Sequence, residues 1–157
     1  GVETIELLDY PDNRMDSVDL IDVVKTVEER IEKLQPAMVV THHASDLNID
    51  HKITYQAVIT ACRPLSGQTA KRILSFEVPS ATEWQSPDAG RPFVPNWFED
   101  ITDTLPMKMK ALEVYQSEMR DWPHSRSIKA VEHLARWRGA SAGCEAAESF
   151  MLVRNIS

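Results

Sequence analysis

The chain of 157 residues contains only two cysteines, Cys62 and Cys144. They are far apart and form no C-x-x-C pair, which argues against a disulfide-built scaffold and a thiolate zinc site. Two isolated thiols fit a reducing compartment, as small buried hydrophobes, and the expected location is cytoplasmic. Long apolar runs are absent as well. The longest are short, such as Ala37-Met38-Val39-Val40, far from the ~20 residues of a membrane span. Positive charge is the minority: Lys plus Arg is 17 against 24 Asp plus Glu, a net charge of −7. That balance argues against general binding to nucleic acid or an anionic membrane. The first residues, Gly1 to Glu6, carry neither an initiator Met nor the basic and apolar regions of a signal peptide. No internal repeat, low-complexity tract or linker interrupts the chain. With 43% apolar and 26% charged residues, it reads as one domain over 1–157 with a core of its own.

The order of elements follows from periodicity and breakers. Ile5 to Tyr10, stopped by Pro11, is expected to be a strand. Pro11-Asp12-Asn13-Arg14 is turn chemistry, and Asp16 or Ser17 then caps a helix over about Val18–Leu34. Leu20, Val23, Val24, Val27, Ile31 and Leu34 form its apolar stripe. Ala37–Thr41 is a continuous β-rich run, as in a parallel sheet covered on both faces. A helix over roughly Asp50–Arg63 and a strand at Ile73–Val78 follow. The stretch Pro79–Asn96 is rich in Pro, Ser, Asp and Gly. At about 18 residues it is long for a structureless connection, which points to an active-site or interface loop. A short strand at Trp97–Ile101, a helix from Asp103 or Thr104 to about Met119 and a helix from Ser125 or Ser127 to Gly139 come next. Glu145–Val153 is expected to be a last helical turn leading to an edge strand. The alternation predicts a Rossmann-like three-layer α/β/α sandwich with a mostly parallel sheet.

Three of the five histidines, His42, His43 and His51, fall in the segment Thr41-His42-His43-Ala44-Ser45-Asp46-Leu47-Asn48-Ile49-Asp50-His51. It follows the most strand-like run, and in open α/β sheets ligands bind outside the carboxyl ends of strands. Imidazole and carboxylate without thiolate is the ligand set of a catalytic zinc or similar divalent ion. His51 is the first candidate, with Asp50 or Asp46 holding its other nitrogen or a neighbouring ring. The same residue types also build a hydrogen-bonded turn with a helix cap, for which Asp46, Asn48 and Asp50 are well suited. His42 is the most structural in character. Arg14 follows a strand and can grip a hydroxyl-rich or phosphate-bearing ligand, or simply stand in an exposed turn. His124 and Arg126 lie at a helix start, where anions bind well and caps also occur. Glu77 ends the third strand. Trp84, on the long loop, can stack on a sugar ring or fasten the loop.

Residues 41–51 resemble the second signature of the LmbE/PIG-L N-deacetylase family. The resemblance continues in order through Pro11–Ser17, Ala57–Pro64, Ser75–Trp84, Ser117–Arg120, Pro123–Ser127 and Glu145–Phe150. It implies a Rossmann-like fold and a zinc hydrolase that removes an N-acetyl group from an N-acetylglucosamine-containing substrate, such as a sugar conjugate or a nucleotide-linked sugar. His51 stands at the position of a metal ligand. The position three before it, where many relatives carry an auxiliary His, is Asn48. His42 or His43 then serves, and His43 with Asp50, beside the metal His, is assigned to the catalytic set. Arg14, Asn48, Trp84, His124 and Arg126 are the expected substrate contacts. The family's other two metal ligands and its general base come from an HPDDE-type segment, and none occurs in these 157 residues. The chain is therefore expected to lack the N-terminal strands of the family and to be inactive alone. The alternatives are a non-catalytic sugar-binding or interaction module, and a homo-oligomer whose Trp-bearing loop covers a neighbour.

Overall fold

The computed structural model describes residues 2–157. The apolar stripe of the first helix and the β-rich run after Pro36 meet in one core. Helix α1 spans Leu20–Leu34, strand β1 Met38–His42, helix α2 Ile49–Ala61 and strand β2 Arg72–Phe76. Val23, Val24 and Ile31 of α1 are buried, whereas the stripe's ends, Leu20 and Leu34, are exposed. The helix packs along its middle against α2. Small residues Ala57 and Ala61 with Val58 let α2 lie close to the sheet, over Ile73 and Val39. Together β1, α2 and β2 form a parallel crossover with Met38 opposite Arg72 and His42 opposite Phe76.

After the long loop come β3, Trp97–Asp100, α3, Leu105–Leu112, α4, Ile128–Ala142, and β4, Ala147–Asn155. The sheet order is β1-β2-β4-β3. β4 runs antiparallel to both β2 and β3. The α/β class therefore holds, but the sheet is not mostly parallel: among the described residues one pairing is parallel and two are antiparallel. A strand's own residues do not encode its direction; the connection does. β4 is also an interior strand rather than an edge. β3 pairs only with its first residues, Ala147–Phe150, so the sheet extends past the carboxyl end of β2, where the long loop gathers.

Three further expectations are corrected. Residues 5–10 form no strand. Ile5 and Leu7 are exposed, and the segment is tied to α1 through Tyr10 Oη donating to Thr26 and through the Glu6–Arg30 ion pair. Helix α3 stops at Leu112, followed by a 3-10 turn at Glu113–Tyr115, because Val114 and Tyr115 lie exposed with nothing to bury them. No helical turn precedes β4; the chain leaves α4 at Gly143 in the left-handed region (φ 84°) and enters the strand directly. β1 pairs only with β2 among the described residues, and its Met38 and Val40 are exposed. Among the described residues, no helix is long and apolar enough to cross a membrane.

Gly139 fixes how α4 meets β4. A Cβ there would stand 2.5 Å from the Ala146 backbone, which cannot move without displacing the strand. Gly139→Ala is expected to lower the unfolding free energy by about 2–3 kcal/mol. Gly143→Ala, with open space around it but a left-handed backbone, should cost about 1 kcal/mol. Urea denaturation followed by circular dichroism ranks the two.

Candidate active site

The segment after β1 folds around Asp46, whose side chain has no solvent exposure. Its Oδ1 accepts from the Asn48 amide at 2.9 Å and its Oδ2 from the Thr82 hydroxyl at 2.8 Å. His51 Nδ1 lies 3.1 Å from Oδ1, an ion-pair distance off the line of a straight hydrogen bond. Burial works to raise the Asp46 carboxyl, but the contacts from His51, Asn48 and Thr82 outweigh it and hold the group below its usual range. With Nδ1 turned to Asp46, His51 keeps Nε2 for a ligand. His51 sits in the first turn of α2, which Asn48 caps by accepting from Asp50 N at 2.8 Å.

His42, at the end of β1, stacks on His51 with ring centroids 4.1 Å apart and also touches Phe76. Burial, then the neighbouring His51 ring, pushes its pKa down to about 4, against the pull of Asp46. His43 is buried and turned elsewhere: its Nε2 meets the Arg91 carbonyl at 3.0 Å, and its ring meets Phe93 edge-on. His43 thus fastens the long loop to the His/Asp segment. The loop is also held by Leu47 N donating to the Ala81 carbonyl, by Gln85 Nε2 donating to the Asp46 carbonyl, and by Gly90 lying directly on Ser45. A Cβ at Gly90 would fall 2.3 Å from the Ser45 hydroxyl.

Asp50 is engaged on the other side. Its carboxylate accepts from the backbone amides of Asn13 at 2.6 Å and Met15 at 2.9 Å. Asn48 Nδ2 donates to Asn13 Oδ1. The structure brings the Pro11–Met15 turn, with exposed Arg14, to the start of α2 through these hydrogen bonds, although no strand precedes the turn. Asp46, rather than Asp50, is the carboxylate in contact with His51. Trp84 and His124 touch each other edge-on at 5.3 Å. His124 Nδ1 accepts from Arg126 N, and Arg126 Nη1 donates to Glu118.

Two elements of the site lie outside the sequence reading. Thr82 and Gln85 read only as loop polar residues, and nothing local signals that they meet Asp46. Glu77 and Arg138 form a bidentate pair at 2.8 and 2.7 Å, each side chain under a fifth exposed, with Ser149 Oγ also donating to Glu77. A strand-end acid is visible in the sequence; its partner on a later helix is not.

Residues 1–62 match the PIG-L family, described as GlcNAc-PI de-N-acetylase. The Escherichia coli (strain K12) protein called uncharacterized deacetylase YaiS is 31% identical over 116 residues, covering 70% of this chain and 55% of that protein. The chain is similar to the PIG-L (LmbE-like) deacetylase family over its first 62 residues and to this curated deacetylase over 116. It spans a little over half the length of that curated relative. The fold is shared with three solved structures. The conserved protein TT1542 of Thermus thermophilus has a TM-score of 0.71 at 18% identity, over 94% of this chain and 64% of that one. The N,N'-diacetylchitobiose deacetylase of Pyrococcus horikoshii has 0.72 at 20%, over 98% and 58%. GalB, the 4-carboxy-2-hydroxymuconate hydratase of Pseudomonas putida KT2440, has 0.66 at 18%, over 87% and 60%. One fold thus carries more than one named chemistry, and the reaction must be argued from the site.

The donor chemistry at this PIG-L-type site suits one metal-ligand position, His51. A catalytic zinc takes three protein ligands, and no three His, Cys, Asp or Glu side chains converge among the described residues. The set present does not make a complete metal site.

Two outcomes follow from the geometry. Asp46→Asn removes the charge facing His51 and should destabilise the chain by about 2 kcal/mol, read by urea denaturation, while leaving the long loop attached through His43. His42 takes up a proton only near pH 4 when folded, against an ordinary value of 6.5. The unfolded chain binds that proton first, so His42's contribution to stability is complete above pH 6.5 and is lost as pH falls toward 4. An NMR titration of the His42 ring and denaturation curves across that window check both halves.

Proposed function

We propose that the chain is part of a metal-dependent hydrolase that removes the N-acetyl group from an N-acetylglucosamine-containing substrate. The observation that carries this reading is the buried Asp46 holding His51 Nδ1, at the start of α2 in a segment that matches the PIG-L family. The family match over residues 1–62 and the likeness to a diacetylchitobiose deacetylase support an acetylated sugar as substrate. When bound, a zinc or similar ion would polarise the acetamide carbonyl and lower the pKa of its water. This chain's share of such a centre is His51, whose Nδ1 faces the buried Asp46 carboxylate. Exposed Arg14, at the turn strapped to Asp50, and half-exposed Trp84 are the groups proposed to meet the sugar.

One imidazole does not hold a catalytic metal, so the chain alone is proposed to release little or no acetate. That same shortage favours a second reading, a sugar-binding module without catalysis. Acetate release from N-acetylglucosamine conjugates, followed by proton NMR, separates them. It is measured for this chain and for any longer product of the same gene carrying an HPDDE-type segment, with and without zinc. The expected result is an inert chain beside a longer product that turns over with zinc and loses at least about a hundredfold on His51→Ala. A zinc-loaded longer product that binds the sugar and releases no acetate establishes the module instead.

A further inference from the structure

Glu77 lines three cavities at once. One, of about 370 Å³, is polar and adjoins the candidate site: Ser45, Thr82 and Arg91 line it, next to Asp46 and the His43 contact. Beyond the Glu77–Arg138 pair lies another, of about 340 Å³, floored by Val78, Leu112, Met119, Val131, Leu134 and Ala135. The pair is the shared wall of the two. A small third cavity of about 160 Å³ adjoins the apolar one at Val78, Pro79 and Leu134.

The rim of the apolar cavity carries three acids and three bases. Each acid is paired with a base: Glu77 with Arg138, Glu148 with Lys108, Glu118 with Arg126. A phosphate or carboxylate entering here would meet no unpaired cation and would stand beside three carboxylates. The rim therefore selects an uncharged occupant, and the floor selects an apolar one.

We infer that this cavity receives an uncharged apolar aglycone of the acetylated sugar, a short alkyl or aryl group. The sugar half of this inference rests on the function proposed above; the cavity's preference for a neutral apolar group does not. It sorts the possible substrates, placing neutral glycosides ahead of phosphate-linked and nucleotide-linked sugars.

The test is direct binding to this chain, by calorimetry, of the methyl and octyl glycosides of N-acetylglucosamine, its 1-phosphate, and octyl glucoside, which lacks the acetamide. The Met119 methyl resonance reports on the cavity. The octyl acetamido glycoside should bind at least about tenfold tighter than the methyl one and shift Met119, whereas the methyl glycoside and the 1-phosphate should not shift it. Leu134→Trp, which fills the cavity, should abolish the octyl advantage. Equal affinity of the two glycosides, an advantage that survives Leu134→Trp, or tighter binding of the 1-phosphate overturns the inference. If octyl glucoside binds as tightly as the acetamido compound and shifts Met119, the neutral cavity stands and the acetylated-sugar half is overturned. A chain that binds no octyl compound overturns the cavity's role and leaves the deacetylase reading to acetate release.

Discussion

A carboxylate without access to water must be satisfied from within the protein, and the site is organised around how Asp46 meets that demand. One oxygen takes the Asn48 amide and faces His51; the other takes the Thr82 hydroxyl. These contacts join three pieces of chain: the turn after β1, the first turn of α2 and the start of the long loop. The placement of the imidazole, the capping residue Asn48 and the start of the loop are all tied to one buried charge. Asp50 repeats the arrangement on the opposite side, drawing the Pro11–Met15 turn in by its backbone amides.

The placement of the polar cavity follows from the same seating. β1 and β2 end level with each other, His42 beside Phe76, so the segments that leave them are neighbours. The long loop covers that end of the sheet through His43, Leu47 and Ser45, and β3 continues the sheet beyond it. Glu77, the first residue past β2, thereby stands between the His/Asp segment and helix α4. Its pairing with Arg138 joins the crossover half of the molecule to the antiparallel half.

Much of the crossover half was legible in the sequence. The stripe Val23, Val24, Ile31 and the run Met38–His42 are local patterns, and local patterns record which residues are buried and with what period. The site's location was legible too, because a polar His/Asp segment directly after an apolar strand leaves little choice of place. Strand direction was not, since antiparallel pairing of β4 with β2 depends on residues 72–76 meeting 150–155 across a long excursion. Nor was the exposure of Ile5 and Leu7, whose apolar pattern reads as strand whether or not a partner is at hand. The roles of Asp46 and Asp50 were separable only in three dimensions: both are cap-type residues near one helix start, and what distinguishes them is Thr82 on one side and the Asn13 and Met15 amides on the other.

Gly90 rests on Ser45 with no room for a single carbon between them. The two positions therefore share one volume, although Gly90 lies further along the loop than Thr82 and Gln85, which contact Asp46. Substitution at either position constrains what the other can be, so changes there are expected to come in pairs: a larger residue at 90 requires a smaller one at 45. The loop and the His/Asp segment accordingly vary as a unit, and a chain that borrowed its loop from a relative would have to borrow residue 45 with it.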